Sequence, residues 1–88
     1  MKETEGLKVD IVSPEKTLFS GEVECLVIPG EKGTFEVLHN HAPIISNLVA
    51  GKVVCKGNDA FEVAIKSGFV EVAQNVVSVC VEEDVLIM

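Results

Sequence analysis

Residues 61–83 read FEVAIKSGFVEVAQNVVSVCVEE. Phe61, Val63 and Ile65 alternate with Glu62 and Lys66, Val70 and Val72 flank Glu71, and Val77, Val79 and Val81 alternate with Ser78, Cys80 and Glu82. A period of two sends one set of side chains to a core and the other to water, which is the pattern of a half-buried strand. Two turn signals, Ser67-Gly68 and Gln74-Asn75, cut the stretch into three strands, because glycine supplies positive φ and asparagine tolerates it.

The same alternation extends outward through the chain. Leu7, Val9 and Ile11 alternate with Lys8 and Asp10; Val23, Cys25 and Val27 follow Glu22 and Glu24; Phe35 and Val37 flank Glu36; Val53 and Cys55 lie between Lys52 and Lys56. Ser20-Gly21, Pro29-Gly30, Lys32-Gly33, Ala50-Gly51 and Gly57-Asn58-Asp59 punctuate these runs. Short strands at this spacing predict an all-β fold, an antiparallel sandwich or barrel. In residues 42–50, Ile44, Ile45, Leu48 and Val49 also fit a helical spacing, and Pro43 and Gly51 suit either element; we read a strand. After Glu82-Glu83-Asp84 the apolar run Val85-Leu86-Ile87-Met88 is expected to pair as an edge strand or to meet a partner. One domain is expected over residues 1–88, with its core at about 7–82.

Composition narrows the function classes. The net charge is −7, and all seven basic residues are lysine. Arginine supplies the planar fork that grips phosphate and guanine edges, so an acidic chain without it is a poor nucleic-acid binder and a poor phosphoryl-transfer enzyme. No run approaches the roughly 18 apolar residues of a membrane span, and the polar start shows no signal-peptide pattern. Cys25, Cys55 and Cys80 are odd in number, far apart and without a CxxC spacing. They are expected to be buried free thiols in a reducing compartment.

No catalytic constellation stands out. His39-Asn40-His41 can place two imidazoles on one face of a strand, so a metal site completed by a cysteine or a carboxylate is one reading. The other is a tight corner, since Pro43 biases Ala42 toward extended backbone. Glu22, Glu24, Glu36, Glu62 and Glu71 fall on the polar phase of their strands and read as a solvated face. No serine has a nucleophile elbow around it, and Gly30 and Gly33 make neither a phosphate loop nor a dinucleotide fingerprint. The residues alone give a small acidic all-β domain without an active site, a type that more often binds protein than catalyses.

Three blocks resemble the epsilon subunit of F-type ATP synthases: LKVDIVSPEKTLFSG at Leu7–Gly21, GTFEVLHNHAPIISNLVAG at Gly33–Gly51 and SGFVEV at Ser67–Val72. They keep the family's order and spacing over about residues 7–82. The resemblance implies a ten-stranded antiparallel β-sandwich. It implies a non-catalytic rotor subunit without a cofactor or a metal, clamping the gamma subunit to the membrane c-ring at the cytoplasmic face of a bacterial plasma membrane. Ser13 and His41 match positions that face gamma, and the Glu31-Lys32-Gly33-Thr34 turn matches the loop that faces the c-ring. Ala42, Pro43 and Gly51 match as structural residues. Thr34 stands where the family often has an acid, a role Glu31 or Glu36 can take, and His39 replaces the usual proline, loosening the corner before His41. Most relatives continue into a C-terminal helical hairpin that restrains hydrolysis. The hairpin is absent here, so a naturally short subunit without that restraint is expected.

Overall fold

A computed structural model describes residues 6–84. Within them lie eight strands: β1 (Leu7–Val12), β2 (Thr17–Val23), β3 (Cys25–Gly30), β4 (Gly33–Leu38), β5 (Ile44–Leu48), β6 (Gly51–Lys56), β7 (Phe61–Ala73) and β8 (Val76–Glu83). Hydrogen bonding links them in the order β2-β1-β8-β7-β5-β3-β4, with β6 bridging β3 and β7. All neighbours are antiparallel except β1 and β8, which run parallel.

The sheet folds on itself because β7 serves two layers. Its first half, Phe61–Ile65, pairs with β6. Its second half, Gly68–Val72, lies between β5 and β8. Between the halves the register slips, with Ile65 opposite Glu83 and Ser67 opposite Glu82. Lys66 is therefore the extra residue of a β-bulge, which bends a strand and increases its twist. Every strand sends apolar side chains into one core, with Leu7, Val9 and Ile11 from β1, Leu26 and Ile28 from β3, and Val77, Val79 and Val81 from β8 among them. Leu18, Phe19, Phe35, Ile44, Phe61 and Val63 pack around it, and Phe19 stacks on Phe61 with ring centroids 5.0 Å apart.

The strand reading of residues 42–50 is borne out in β5, as is the Gln74-Asn75 turn, whose φ angles of 52° and 65° join β7 to β8. Several expectations are corrected. Eight strands replace ten among the described residues. Ser67-Gly68 is no turn but part of the bulged run of β7, and Ser20-Gly21 and Pro29-Gly30 lie inside β2 and β3. After the bend at Glu24 the burial phase reverses, so that Leu26 and Ile28 are buried rather than Cys25 and Val27. Only Cys55 is a buried thiol; Cys25 is half-buried, and Cys80 is exposed because it falls on the outward phase of β8. The apolar run Val85–Met88 lies outside the described residues.

The thiols differ in a way that can be measured. Burial pushes Cys55 up from 9.0 to about 11. Burial, then a hydrogen bond to and the charge of Glu36, raise Cys25, its Sγ lying 3.4 Å from Oε2 of that carboxylate. Since the thiolate is the reactive form, iodoacetamide at neutral pH should label Cys80 first, Cys25 slowly, and Cys55 only on unfolding, as mass spectrometry of a time course would show. The Cys55 shift also has a stability sign. Between pH 9 and 11 the unfolded chain loses that proton while the folded chain keeps it, so stability falls as pH rises through this window, by on the order of 3 kcal/mol in all. Cys55→Ala should remove that alkaline slope from pH-dependent melting curves.

Candidate protein-docking face

Strand pairing places two rows of outward side chains across β5, β7, β8 and β1. Ile45, Glu71, Ser78 and Asp10 form one row, and Asn47, Phe69, Cys80 and Val12 the next. Three interstrand spacings of about 4.8 Å make this face roughly 14 Å wide. Large apolar side chains stand on it where a fully solvated face would carry polar ones. Ile45 is 70% exposed, Phe69 41% and Val76 45%. Polar groups stand among them, Glu71 opposite Ile45 and Asn47 opposite Phe69, and at the β1 edge Ser20 donates to Asp10 Oδ1 at 2.6 Å. The sequence reading passed over Ile45, Phe69 and Val76. The available signal was a large apolar residue on the polar phase of a strand, which packing into the domain's own core does not explain.

Ser13 and His41 stand at diagonally opposite corners of this face rather than side by side. Ser13 follows β1, and its hydroxyl organises the turn into β2: Ser13 Oγ lies 3.3 Å from the amide nitrogens of Glu15 and Lys16, both of which donate to it. The corner before β5 is closed by the His41 amide donating to the Leu38 carbonyl at 3.1 Å, with Asn40 at φ 66°. His41 Nδ1 lies 2.8 Å from the Ala42 carbonyl oxygen, and His39 Nδ1 3.1 Å from that of Gly6. Both contacts require a protonated Nδ1, since the carbonyl can only accept. Thus His39 anchors the corner to the start of β1, while exposed Ala42 and Pro43 carry the chain into β5. The metal reading of the two histidines finds no grouping of three potential ligands among the described residues.

A reciprocal asparagine pair fixes the same end. The Asn40 amide donates to Asn75 Oδ1 at 2.6 Å, and Asn75 Nδ2 donates to Asn40 Oδ1 at 3.1 Å, clasping the corner to the β7–β8 hairpin. Asn75→Ala should cost about 1–3 kcal/mol in chemical denaturation, from the lost pair and the strain of alanine at φ 65°; Asn75→Gly should recover the backbone part.

The Glu31-Lys32-Gly33-Thr34 segment lies at the opposite end, with Ser13. Glu31 and Lys32 form the two-residue connection between paired Gly30 and Gly33, and Thr34 already belongs to β4, opposite Pro29. Gly33 has φ 125°, a conformation that favours glycine. Gly51 opens β6 against β3, where a Cβ would sit 2.8 Å from Pro29 Cβ. The Gly30–Leu48 pairing and the bond from the Val49 amide to the Pro29 carbonyl bring this turn beside the candidate face.

Three large apolar side chains thus stand exposed on one face of an all-β, sandwich-like domain. A family model described as the ATP synthase delta/epsilon chain β-sandwich domain matches residues 6–86, and the chain belongs to that family. It is 41% identical over 81 residues to the ATP synthase epsilon chain of Leptospira borgpetersenii serovar Hardjo-bovis, covering 91% of this chain and 64% of the relative. It is 42% identical over 74 residues to that of Chlorobium limicola, covering 80% and 82%. The chain thus spans a little under two thirds of the Leptospira relative's length. The fold matches a chain in the cryo-EM structure of Euglena gracilis mitochondrial ATP synthase with a TM-score of 0.84 at 18% identity, covering 97% of this chain and 56% of that one. A chain of the Tetrahymena thermophila mitochondrial ATP synthase central stalk and c-ring structure aligns with a TM-score of 0.76 at 13% identity, covering 94% and 67%.

Proposed function

We propose that this chain is a non-catalytic rotor subunit of an F-type ATP synthase. It docks the gamma subunit with the face of β5, β7, β8 and β1, and meets the c-ring through the Glu31–Thr34 turn, so that torque passes between them. Its place is peripheral, held through the complex at the cytoplasmic face of a bacterial plasma membrane. The observation that carries the reading is the exposure of Ile45, Phe69 and Val76 on one face of a domain in this family. Large apolar side chains exposed on one sheet face and rimmed by polar residues suit a surface that a partner covers. Ser13 and His41, at the two corners of the face, bound the area gamma would cover. The net charge of −7 favours basic partner surfaces and speeds their encounter.

The test is a titration calorimetry measurement with the gamma subunit of the same organism. One-to-one binding that buries more than about 1,000 Å² is expected, with a negative heat-capacity change from apolar burial. Two folded proteins that fail to associate would overturn the reading.

A further inference from the structure

Where the docking face meets the β3–β4 turn, the surface opens into a cleft of about 800 Å³. Val12, Leu48, Phe69 and Val81 form its apolar wall, and Glu31 and Glu82 stand on its rim. No lysine lines it, and the ion pair found among the described residues, Lys52–Glu62, involves neither rim acid. No buried polar side chain among the described residues is available to orient a small molecule inside it. Phe69 and Val12 belong both to the cleft wall and to the second row of the open face. A partner that covers the face therefore reaches the cleft without a break.

We propose that this cleft takes a segment of the partner docked on the open face, one that presents an apolar side chain beside a lysine or arginine. The apolar side chain fills the space against Phe69 and Leu48, and the cation lies between the two rim carboxylates. The arrangement combines an anchor in a pocket with charges at its edge. The first sets how long the complex lasts, and the second how fast and in what register it forms. This inference rests on the rotor reading, which makes the gamma subunit the probe.

Three purified variants test it against gamma at low and high salt. Phe69→Ala should weaken binding at least tenfold. The double variant Glu31→Lys/Glu82→Lys should also weaken it at least tenfold and flatten its salt dependence. Glu24→Lys/Glu62→Lys changes the net charge equally at exposed positions away from the cleft and should shift affinity less than threefold; melting curves confirm that each variant is folded. If the rim pair and the control pair behave alike while the unaltered chain binds, the cleft proposal is overturned and the rotor reading stands. Unchanged gamma affinity with loss of c-ring retention would put a different occupant in the cleft and overturn it too. An unaltered chain that does not bind gamma would overturn both.

Discussion

Ile65→Ala should lower the melting temperature more than the truncation of almost any other single side chain in this domain. Ile65 is fully buried and sits beside the bulge of β7, paired with Gly51 of β6 on one side and Glu83 of β8 on the other. Its side chain fills the point where the two layers diverge, and the bulge leaves its neighbours little freedom to close over a void. Deleting three carbons there removes transfer free energy and leaves a cavity, together about 2–5 kcal/mol. At 4–8 °C per kcal/mol for a domain of this size, the expected fall is roughly 8–40 °C. Phe35→Ala is the instructive comparison. The phenyl ring packs on the core but is only partly buried, so its loss should be smaller although the residue is larger. A fall below about 5 °C for Ile65→Ala in differential scanning calorimetry would mean that the bulge is not a fixed junction between layers.

That junction is also where sequence reading failed, for a physical reason. Alternation identified the core residues of β1, β6, the second half of β7, and β8, because each of these faces water on one side throughout. Ser67-Gly68 carries the chemistry of a turn, but the same chemistry permits a bulge. What decides is tertiary: a Cβ on Gly68 would lie 2.8 Å from the Cys80 carbonyl oxygen and 3.4 Å from Leu48 Cδ1. Glycine is needed there for close approach between strands, not for reversal of the chain, and one strand replaced two. The bend at Glu24 likewise flips the phase of β3 without any glycine or proline to announce it. The corner at His39–His41 was legible from Pro43 and the motif around it. Its clasp to Asn75 was not, since a contact 35 residues away leaves no local trace. The candidate face was half legible. Ser13 and His41 came from resemblance, whereas Ile45, Phe69 and Val76 needed the strand order before they could be seen to share a surface.

The double variant Ile45→Asp/Val76→Asp should abolish measurable gamma binding while leaving the fold intact. Both side chains point to water in the isolated chain, so their replacement gives up no core packing. The free protein should become more soluble, because two apolar groups leave an open face. In the complex the same two carboxylates would have to be desolvated against an apolar partner surface. A buried, unpaired charge is far costlier than a lost methyl contact. Anchor residues at protein interfaces typically contribute 2 kcal/mol or more each, so two together should weaken affinity by a factor of roughly 10³. Leu38→Asp makes the distinction sharp. Leu38 is 49% exposed, close to Val76 at 45%, but it lies on β4 in the other layer. If exposure alone drove association, Leu38→Asp would hurt as much as Val76→Asp. If the face of β5, β7, β8 and β1 is where gamma docks, Leu38→Asp should bind as the unaltered chain does. Loss of binding in Leu38→Asp with retention in the double variant would move the docking surface to the opposite layer, and with it the assignment of Ser13 and His41 to its corners.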